Sequence, residues 1–312
     1  MKVFVAGATG AIGLPLVRRL LDDGHEVIGM TRSAQRAAAL EATGVEAIVA
    51  DALDTETVRR AVTRARPSVV IDQLTDLPQR IAMRGLTKMY RKQNKLRQEG
   101  SATLLRAARE ASVATVIAQS VAFIYAPDGV GYKTEDDTAW RQAPPPFGQA
   151  LAVAADHDAQ VVGSPDFTGI VLRYGVFYGP RTHFAPGNGV YEDAAKRRLP
   201  LVGDGSAVWS FVHVDDAAAA TAAALEHASA GIYNIVDDEP VPYRDWVPFY
   251  TDLLGAKRPR HLPTWLSRVI AGPAITAWAT QRDGVSNAKA KRELGWFPQH
   301  PSWREGFTEL IS

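Results

Sequence analysis

The sequence predicts an α/β fold with a doubly wound parallel sheet. Its first half alternates short apolar runs, typical of buried strands, with segments whose apolar residues recur at helical spacing. This alternation is typical of strand–helix–strand units, in which helices cover both faces of a parallel sheet. A glycine-rich turn, GATGAIG at residues 7–13, joins the first strand to the first helix. After Gly179-Pro180 the pattern becomes irregular, which predicts a smaller second lobe.

The first half divides into elements by apolar period and by punctuation with glycine and capping residues. Strands are predicted at residues 2–6, 26–30, 45–50, 68–74 and 113–120. Helices are predicted at residues 12–22, 34–42 and 54–64, and in a long region, residues 78–110, broken near Gly85 and Gly100.

The second part of the chain begins with a surface loop, because residues 126–146 are rich in proline, glycine and charge. The elements that follow are a helix and two strands, at residues 147–162, 168–172 and 231–236. We predict a dinucleotide-binding domain over residues 1–170. Residues 171–312 are predicted to form mainly a substrate-binding lobe, with segments that return to the first sheet.

Composition and charge exclude several functional classes. The 312 residues carry 35 basic and 34 acidic side chains, so no global charge attracts nucleic acid or anionic lipid. The absence of cysteine excludes a disulfide scaffold, thiolate metal ligands and a cysteine nucleophile. No segment resembles an export signal or a membrane-spanning run of about 20 apolar residues. We expect a cytoplasmic monomer or homodimer that binds a small-molecule substrate and neither nucleic acid nor membrane.

The glycine-rich turn predicts a dinucleotide site of the Rossmann type. Glycines let the backbone turn tightly against a pyrophosphate, and the following helix offers unpaired N–H groups and its positive dipole end. Gly13 lets that helix pack closely on the strand. A plain tight turn is the alternative interpretation. The predicted cofactor contacts in this turn are Gly7, Thr9, Gly10, Ala11 and Ile12.

The residues after the second strand predict NADPH/NADP⁺ as the cofactor. A carboxylate at this position usually bonds the ribose hydroxyls of NAD. This chain instead has Thr31, Arg32 and Ser33, with Arg36 one helical turn later. Two guanidinium groups and a hydroxyl would bind a 2′-phosphate, which a carboxylate would repel. The alternative is that both arginines are solvated surface charges.

Further cofactor contacts are predicted where later strands end. Asp51, with Ala52, is placed to bond the adenine edge, and capping of the next helix is its alternative role. Gln119 ends a strand near the cofactor, and Tyr174 packs beneath the nicotinamide region. The remaining predicted contacts are Gln73, Leu74 and Val176.

Several spaced motifs resemble the extended short-chain dehydrogenases/reductases, the group of NAD-dependent epimerases and dehydratases. Besides GATGAIG they are ADALD (50–54), GSATLLRAA (100–108), VLRYGVFYGP (171–180), WSFVHVDDAA (209–218), YNIVDDEPV (233–241) and LGWFPQHPSWREGF (294–307). The resemblance runs almost from end to end. It implies a Rossmann-type sheet with a smaller, interleaved C-terminal substrate lobe, and a nicotinamide cofactor.

The catalytic positions of this family hold apolar residues here. The resemblance places Val121 at the Ser/Thr position, Phe147 at the tyrosine and Leu151 at the lysine, and Arg97 where the family has asparagine. The first three side chains cannot donate a proton. Ser120 is a weak substitute, because neighbouring residues of a regular strand point to opposite faces.

The missing triad favours reduction of a substrate that supplies its own proton donor. A phenol beside a carbonyl can neutralise the forming alkoxide, and intramolecular placement makes it effective. A pocket lined by Val121, Phe123, Phe147 and Leu151 would suit a flat apolar ligand.

The chain is similar to ketoreductases of aromatic polyketides of the angucyclinone, simocyclinone type. We therefore predict an NADPH-dependent ketoreductase of a bulky aromatic polyketide or natural-product ketone, in antibiotic biosynthesis, with the proton supplied by substrate or solvent. One alternative is a non-catalytic NADP(H)-binding redox sensor. A further alternative is a nucleotide-sugar epimerase or dehydratase.

Two histidine-containing stretches are interpreted as structural. His213 with Asp215 and Asp216 has the composition of a metal site, but the alanine-rich segment that follows predicts a helix start capped by an aspartate. His157 lies on a helix without partners at ligand spacing. We expect no metal site.

Overall fold

The computed structural model of the chain describes residues 1–78, 80 and 85–312. Its strands are β1 (Lys2–Ala6), β2 (Glu26–Thr31), β3 (Glu46–Val49), β4 (Val69–Asp72), β5 (Thr115–Val121), β6 (Thr168–Tyr174), β7 (Val176–Tyr178), β8 (Leu201–Val202), β9 (Val208–Trp209), β10 (Phe211–His213), β11 (Gly231–Ile235), β12 (Val241–Pro242) and β13 (His261–Leu262).

The α-helices are α1 (Gly13–Asp22), α2 (Ala34–Glu41), α3 (Thr55–Ala65), α4 (Leu86–Lys95), α5 (Ala102–Glu110), α6 (Phe147–Val162), α7 (Gly189–Ala195), α8 (Val214–His227), α9 (Tyr243–Leu253), α10 (Thr264–Ile270), α11 (Pro273–Thr280), α12 (Ala288–Leu294) and α13 (Trp303–Ile311). A π-helical turn, Leu96–Ser101, connects α4 to α5. None of the helices in the described ranges is long and apolar enough to span a membrane.

Seven strands form one parallel sheet in the order β11-β6-β5-β4-β1-β2-β3, which confirms the doubly wound α/β fold. The chain winds outward from β1 to β3 and then crosses to β4, so the sheet switches direction between β1 and β4. In the strand register Ala6 lies opposite both Met30 and Asp72. The loops that begin at Gly7 and Gln73 therefore leave the same edge of the sheet, where such folds bind ligands.

Both faces of the sheet are buried, which explains why its strands are apolar runs without alternation. On one face Val3 and Val5 pack in a core with the apolar stripe of α1 and the alanines of α8. On the other face Phe4 and Val70 pack with α3 and α5.

Two of the differences from the predicted bounds bear on the site. β4 ends at Asp72, two residues early, so Gln73 and Leu74 leave the sheet. The predicted long helix begins at Leu86, after Gly85; its predicted residues 79 and 81–84 lie outside the described ones. Gly100 lies in the π-helical turn, where a Cβ would come within 3.2 Å of the Ala52 Cβ. This close approach to the loop after β3 favours glycine at position 100.

The C-terminal lobe has an aromatic core of its own. Its largest buried members are Tyr178, Phe211, Trp246, Tyr250, Trp303 and Phe307. β11 returns to the main sheet, where Tyr233 pairs with Leu172 of β6. The part of the chain after residue 170 thus completes the main sheet, and the predicted boundary at position 170 lies inside β6.

Candidate functional site

The glycine-rich turn forms a tight loop at the carboxyl end of β1. Gly7 has a φ of 86°, and a Cβ there would lie 2.4 Å from the Gln73 carbonyl oxygen. A Cβ at Gly13 would lie 2.3 Å from the Gly7 carbonyl oxygen, so α1 packs directly on the loop backbone. The N-cap of α1, Ile12, makes no side-chain hydrogen bond. Leu14 and Leu16 already donate their N–H groups to the carbonyl oxygens of Gly10 and Ile12, and Pro15 has no N–H. An anion such as a pyrophosphate can therefore bind at the Gly13 N–H and at the turn just before it.

Arg181 is a cation beside this loop that was not foreseen from the sequence. Its Nη2 donates to the carbonyl oxygen of Thr9 over 3.2 Å. The hydroxyl oxygens of Thr9 and Thr31 lie 3.1 Å apart, which ties the loop to the end of β2. Arg181 has a left-handed φ of 67°. It follows Gly179-Pro180, and this turn is the feature of the local sequence that marks its position. The guanidinium can add positive charge to the phosphate loop.

Arg32 and Arg36, the predicted phosphate-binding arginines, are both exposed after β2. The Nη2 of Arg32 donates to the Asp76 carboxylate over 2.9 Å. Ser33 caps α2 by accepting the Arg36 backbone N–H, and its own hydroxyl proton can still be donated. Asp76 was not foreseen because it follows β4, 44 residues from Arg32 in the chain.

The loop after β3 places Asp51 at the surface and buries Ala52. Asp54, rather than Asp51, caps α3 by accepting the Thr57 backbone N–H over 3.1 Å. The capping role considered for Asp51 is therefore wrong, because three further residues separate it from the helix. Its carboxylate accepts the Leu53 N–H over 3.0 Å instead, and contact with the adenine edge stays a prediction.

Four other predicted cofactor contacts form two hydrogen-bonded pairs where β4, β5 and β6 end. Gln119 Nε2 donates to the Leu74 carbonyl oxygen over 2.7 Å, and Gln73 Nε2 donates to the Tyr174 hydroxyl over 3.1 Å. Tyr174 is only 1% exposed, and burial raises the pKa of its hydroxyl to about 12. Tyr174 therefore supports Gln73 from within the core. Val176, half-buried, begins β7 nearby.

The four predicted substrate-site residues meet in one apolar group at the carboxyl end of β5. Val121, Phe123, Phe147 and Leu151 pack together there. Trp278 of α11 joins them, with its ring centroid 4.7 Å from that of Phe123 and 5.1 Å from that of Phe147. We call these five residues, with Tyr90 and Trp140, the aromatic cluster.

The aromatic cluster surrounds Phe147, the residue that the resemblance places at the family's tyrosine position. The Phe147 ring centroid lies 6.4 Å from that of Tyr90 and 6.0 Å from that of Trp140. Burial raises the pKa of Tyr90 to about 12, so its phenol is a weaker acid than usual. The cluster thus offers apolar ring surface where relatives with the triad hold a proton relay.

Arg282 is a cation in contact with this cluster that was also not foreseen. Its guanidinium carbon lies 4.2 Å from the ring centroid of Trp278, 4.8 Å from that of Trp209 and 5.2 Å from that of Phe123. Within the described ranges its buried Nη1 has no hydrogen-bond partner. Burial lowers the pKa of Arg282 to about 9, which leaves it a cation at neutral pH.

Ser120 lies on the face of β5 opposite to Val121, as the strand alternation predicts. In the register of β5 and β6 it is paired with Arg173. Its hydroxyl is buried without a hydrogen-bond partner among the described residues. The geometry therefore separates Ser120 from the aromatic cluster.

His157, a buried residue of α6, is uncharged at neutral pH, because burial lowers its pKa to about 3.

His213, Asp216 and His300 bring potential metal-ligand atoms within 4.8 Å of one another. Asp216, however, already accepts the backbone N–H groups of Gln299 and His300 and a hydrogen bond from His300 Nδ1. His213, rather than the predicted aspartate, caps α8, because its Nδ1 accepts the Asp215 N–H. These bonds explain the group as a clasp that holds the segment before α13 on α8.

His300→Ala is expected to weaken this clasp most in mild acid. The hydrogen bond to Asp216 raises the pKa of His300 above its ordinary 6.5. A histidine whose pKa is raised in the folded state stabilises that state fully at pH values below the pKa of the unfolded chain. This stabilisation is lost as the pH rises through the folded-state pKa. Urea melts should show that the free energy of unfolding falls by about 1 kcal/mol at about pH 5.5 and by less at about pH 8.5. Equal losses at both pH values, or the same pattern in the exposed control His227→Ala, would contradict the clasp.

A parallel seven-stranded sheet with a glycine-rich turn at its switch point defines the class of protein, an α/β fold of the Rossmann type. Residues 3–236 match the NAD dependent epimerase/dehydratase family. The chain belongs to this family, as the spaced motifs implied.

Three relatives that span nearly the whole chain are named as reductases. A 3-diazoavenalumate denitrifying reductase from a Streptomyces species is 44% identical over 98% of this chain and 99% of the relative. A 2-alkyl-3-oxoalkanoate reductase from Stenotrophomonas maltophilia is 27% identical over 99% and 98%. A 4-hydroxy-2-methyl-3-oxo-4-farnesyl-3,4-dihydroquinoline-1-oxide ketoreductase from Stigmatella aurantiaca is 23% identical over 95% and 92%.

Solved structures share the fold along the whole chain. The Thermus thermophilus UDP-glucose 4-epimerase in complex with NAD has a TM-score of 0.76 and 25% identity, covering 100% of this chain and 98% of that one. The human epimerase family protein SDR39U1 with NADPH has a TM-score of 0.75 and 17% identity, covering 100% and 99%.

Proposed function

We propose that this chain is an NADPH-dependent reductase of a flat aromatic substrate that needs no proton donor from the protein. The observation that carries the proposal is the aromatic cluster itself. Val121, Phe147 and Leu151, which the resemblance places at the triad positions, pack with further rings at the carboxyl edge of the sheet. The reductase names of the relatives support reduction.

The residues present fit a phosphorylated nicotinamide dinucleotide, which would supply a hydride when bound. Gly7 and Gly13 bring the loop and α1 close enough to hold a pyrophosphate. Arg181 adds positive charge there, and Arg32 and Arg36 favour a 2′-phosphate.

A substrate for this site must accept a hydride without an acid from the protein. A positioned acid typically contributes about 10²–10⁴ in rate, and the side chains at the triad positions supply none. An aryl diazonium group meets this condition. Its replacement by hydrogen breaks the C–N bond, forms a C–H bond, releases N₂, and consumes one hydride and no proton.

A diazo group on an aromatic ring is accordingly our first candidate for the reacting group. The 44%-identical relative is named for removing nitrogen from a diazo substrate. The rings of Phe123, Phe147 and Trp278 suit an aromatic framework.

An aromatic ketone flanked by a phenol is the second candidate. Hydride addition to its carbonyl leaves an alkoxide, which the adjacent phenol can protonate at once. The relatives named for oxoalkanoate and dihydroquinoline-oxide ketones favour it. A bulky aromatic polyketide ketone belongs to this class.

Turnover of two substrates distinguishes these candidates. Purified protein with NADPH receives either a diazotised amino-hydroxybenzoate or a naphthoquinone with a hydroxyl beside its carbonyl. We expect oxidation of NADPH with the diazo substrate, matched by equimolar N₂ in mass spectrometry and absent without protein. Turnover of the naphthoquinone alone would favour the ketone. Tight NADPH binding with turnover of neither would contradict the proposal and favour a redox sensor.

Phe147→Tyr is expected to change the turnover number less than about threefold. The new phenol would have no lysine at position 151 to lower its pKa, and it would lie among rings that disfavour a phenolate. The double variant Phe147→Tyr with Leu151→Lys is the comparison, measured with both substrates. A tenfold or larger gain from the single change would show that the native reaction lacks a proton donor that it needs.

A further inference from the structure

Hydrogen bonds at Arg282 and at the next residue fix the position of Arg282. Its carbonyl oxygen accepts the Val208 N–H over 2.8 Å. The carboxylate of the next residue, Asp283, accepts the N–H groups of Asp128 and Gly129 over 2.9 and 3.0 Å. The guanidinium is therefore held against the aromatic cluster by the surrounding loops.

Two hydrogen-bond donors at this place have no acceptor within the described ranges. They are Nη1 of Arg282 and the indole Nε1 of Trp209, both buried. The guanidinium carbon lies 4.8 Å from the centre of that indole ring, so the two donor-bearing groups are in contact. Ring faces attract a cation but do not satisfy its N–H groups as an oxygen would. Buried donors of this kind call for an acceptor, because an unmade hydrogen bond is costly.

Asp283, the acidic residue that follows Arg282 in the chain, is used elsewhere. Its carboxylate accepts two backbone N–H groups and lies 3.5 Å from the buried ammonium of Lys133. Among the described residues, no ion pair neutralises the Arg282 guanidinium. A ligand with a negative oxygen would supply both the missing charge and the missing acceptor.

We propose that Arg282 binds the carboxylate of an aromatic acid, whose ring lies against Phe123 and Trp278. A planar guanidinium matches the two oxygens of a carboxylate and stacks on aromatic faces at the same time. The inference rests on the proposed function, since it takes the aromatic cluster as the substrate site. It adds that the substrate is an acid, and that Arg282 sets this specificity.

Binding of non-reacting probes tests the inference separately from catalysis. Calorimetric titrations of the NADP⁺-loaded protein compare cinnamate with its neutral isostere cinnamamide. In the wild type we expect cinnamate to bind about 10- to 100-fold more tightly than the amide, the range of a charge-assisted hydrogen bond. Arg282→Gln should remove this preference while cinnamamide and NADP⁺ bind as before. Arg268→Gln, an equal change of charge at an exposed position of α10, should leave it intact.

Arg282→Lys is the second variant, and it keeps the charge without the planar fork. We expect it to retain part of the preference for cinnamate, which also covers the case in which Arg282→Gln does not fold. A preference that survives in Arg282→Gln, or a wild type that binds neither probe, would overturn the inference. Uridine diphosphate binding lost in Arg282→Gln while cinnamate binding persists would assign the cation to a diphosphate instead. If the acid preference depends on Arg282 but neither reducible substrate turns over, the proposed function fails and this site stands.

Discussion

Gly13→Ala is expected to weaken NADPH binding by at least about 100-fold. The added methyl carbon would lie 2.3 Å from the Gly7 carbonyl oxygen and 2.7 Å from the Ala8 carbonyl carbon, both backbone atoms. Either α1 or the loop must move, and the N–H groups that would hold the pyrophosphate move with it. Steric overlap of this kind typically also costs about 1–3 kcal/mol of the free energy of unfolding. Fluorescence titration with NADPH and urea melts measure the two effects.

Gly85→Ala provides the matched control for this prediction. A Cβ at Gly85 meets no atom of the described residues within 4 Å, and its φ of −105° is open to alanine. We expect NADPH affinity within about twofold of the wild type, because a substitution without steric overlap typically has little effect. Tight NADPH binding by Gly13→Ala would show that the cofactor does not rest on this turn.

The parts of the site that follow from local sequence were predictable. The glycine-rich turn lies between a strand and a helix that adjoin in the chain, so spacing alone indicates its geometry. Val121, Phe123, Phe147 and Leu151 were predicted through the family resemblance, which places three of them at the catalytic positions. They pack together because Val121 ends β5 and Phe147 begins α6 at the same carboxyl edge of the sheet.

Two cations, Arg181 and Arg282, were not predictable, because each meets its partners through long-range contacts. Arg181 reaches the carbonyl oxygen of Thr9, 172 residues away in the chain. Arg282 meets rings from β9, α11 and the turn after β5. Local periodicity carries no information on such contacts, and an arginine in an irregular segment resembles a solvated charge. Asp76 was not predicted either, because its contact with Arg32 also joins distant parts of the chain.

These two groups of residues together describe a site with little capacity for proton transfer and considerable positive charge. The aromatic cluster supplies ring surface, Arg282 supplies a charge in contact with its rings, and Arg181 supplies a charge beside the glycine-rich turn. Such a site favours substrates that are bound by an anionic group and reduced at an electrophilic group that needs no protein acid.

Charge reversal of Arg32 and Arg36 to glutamate is expected to change the cofactor preference. NADPH should bind about 100-fold more weakly, which corresponds to about 2.7 kcal/mol, because two attractive charges near the 2′-phosphate become repulsive. NADH, which lacks this phosphate, should change by less than about threefold. Parallel titrations with both nucleotides measure the ratio of the dissociation constants.

Asp76 competes with a 2′-phosphate for Arg32, because its carboxylate pairs with the Arg32 guanidinium over 2.9 Å. An exposed ion pair of this kind contributes little, typically about 0–1 kcal/mol, so a phosphate dianion can displace the carboxylate from the guanidinium. Asp76→Asn should therefore raise the affinity for NADPH and leave that for NADH nearly unchanged. If the double arginine variant weakened both nucleotides equally, Arg32 and Arg36 would be ordinary surface charges. The carboxylate of Asp76, free to accept a ribose hydroxyl, would then favour NAD as the cofactor.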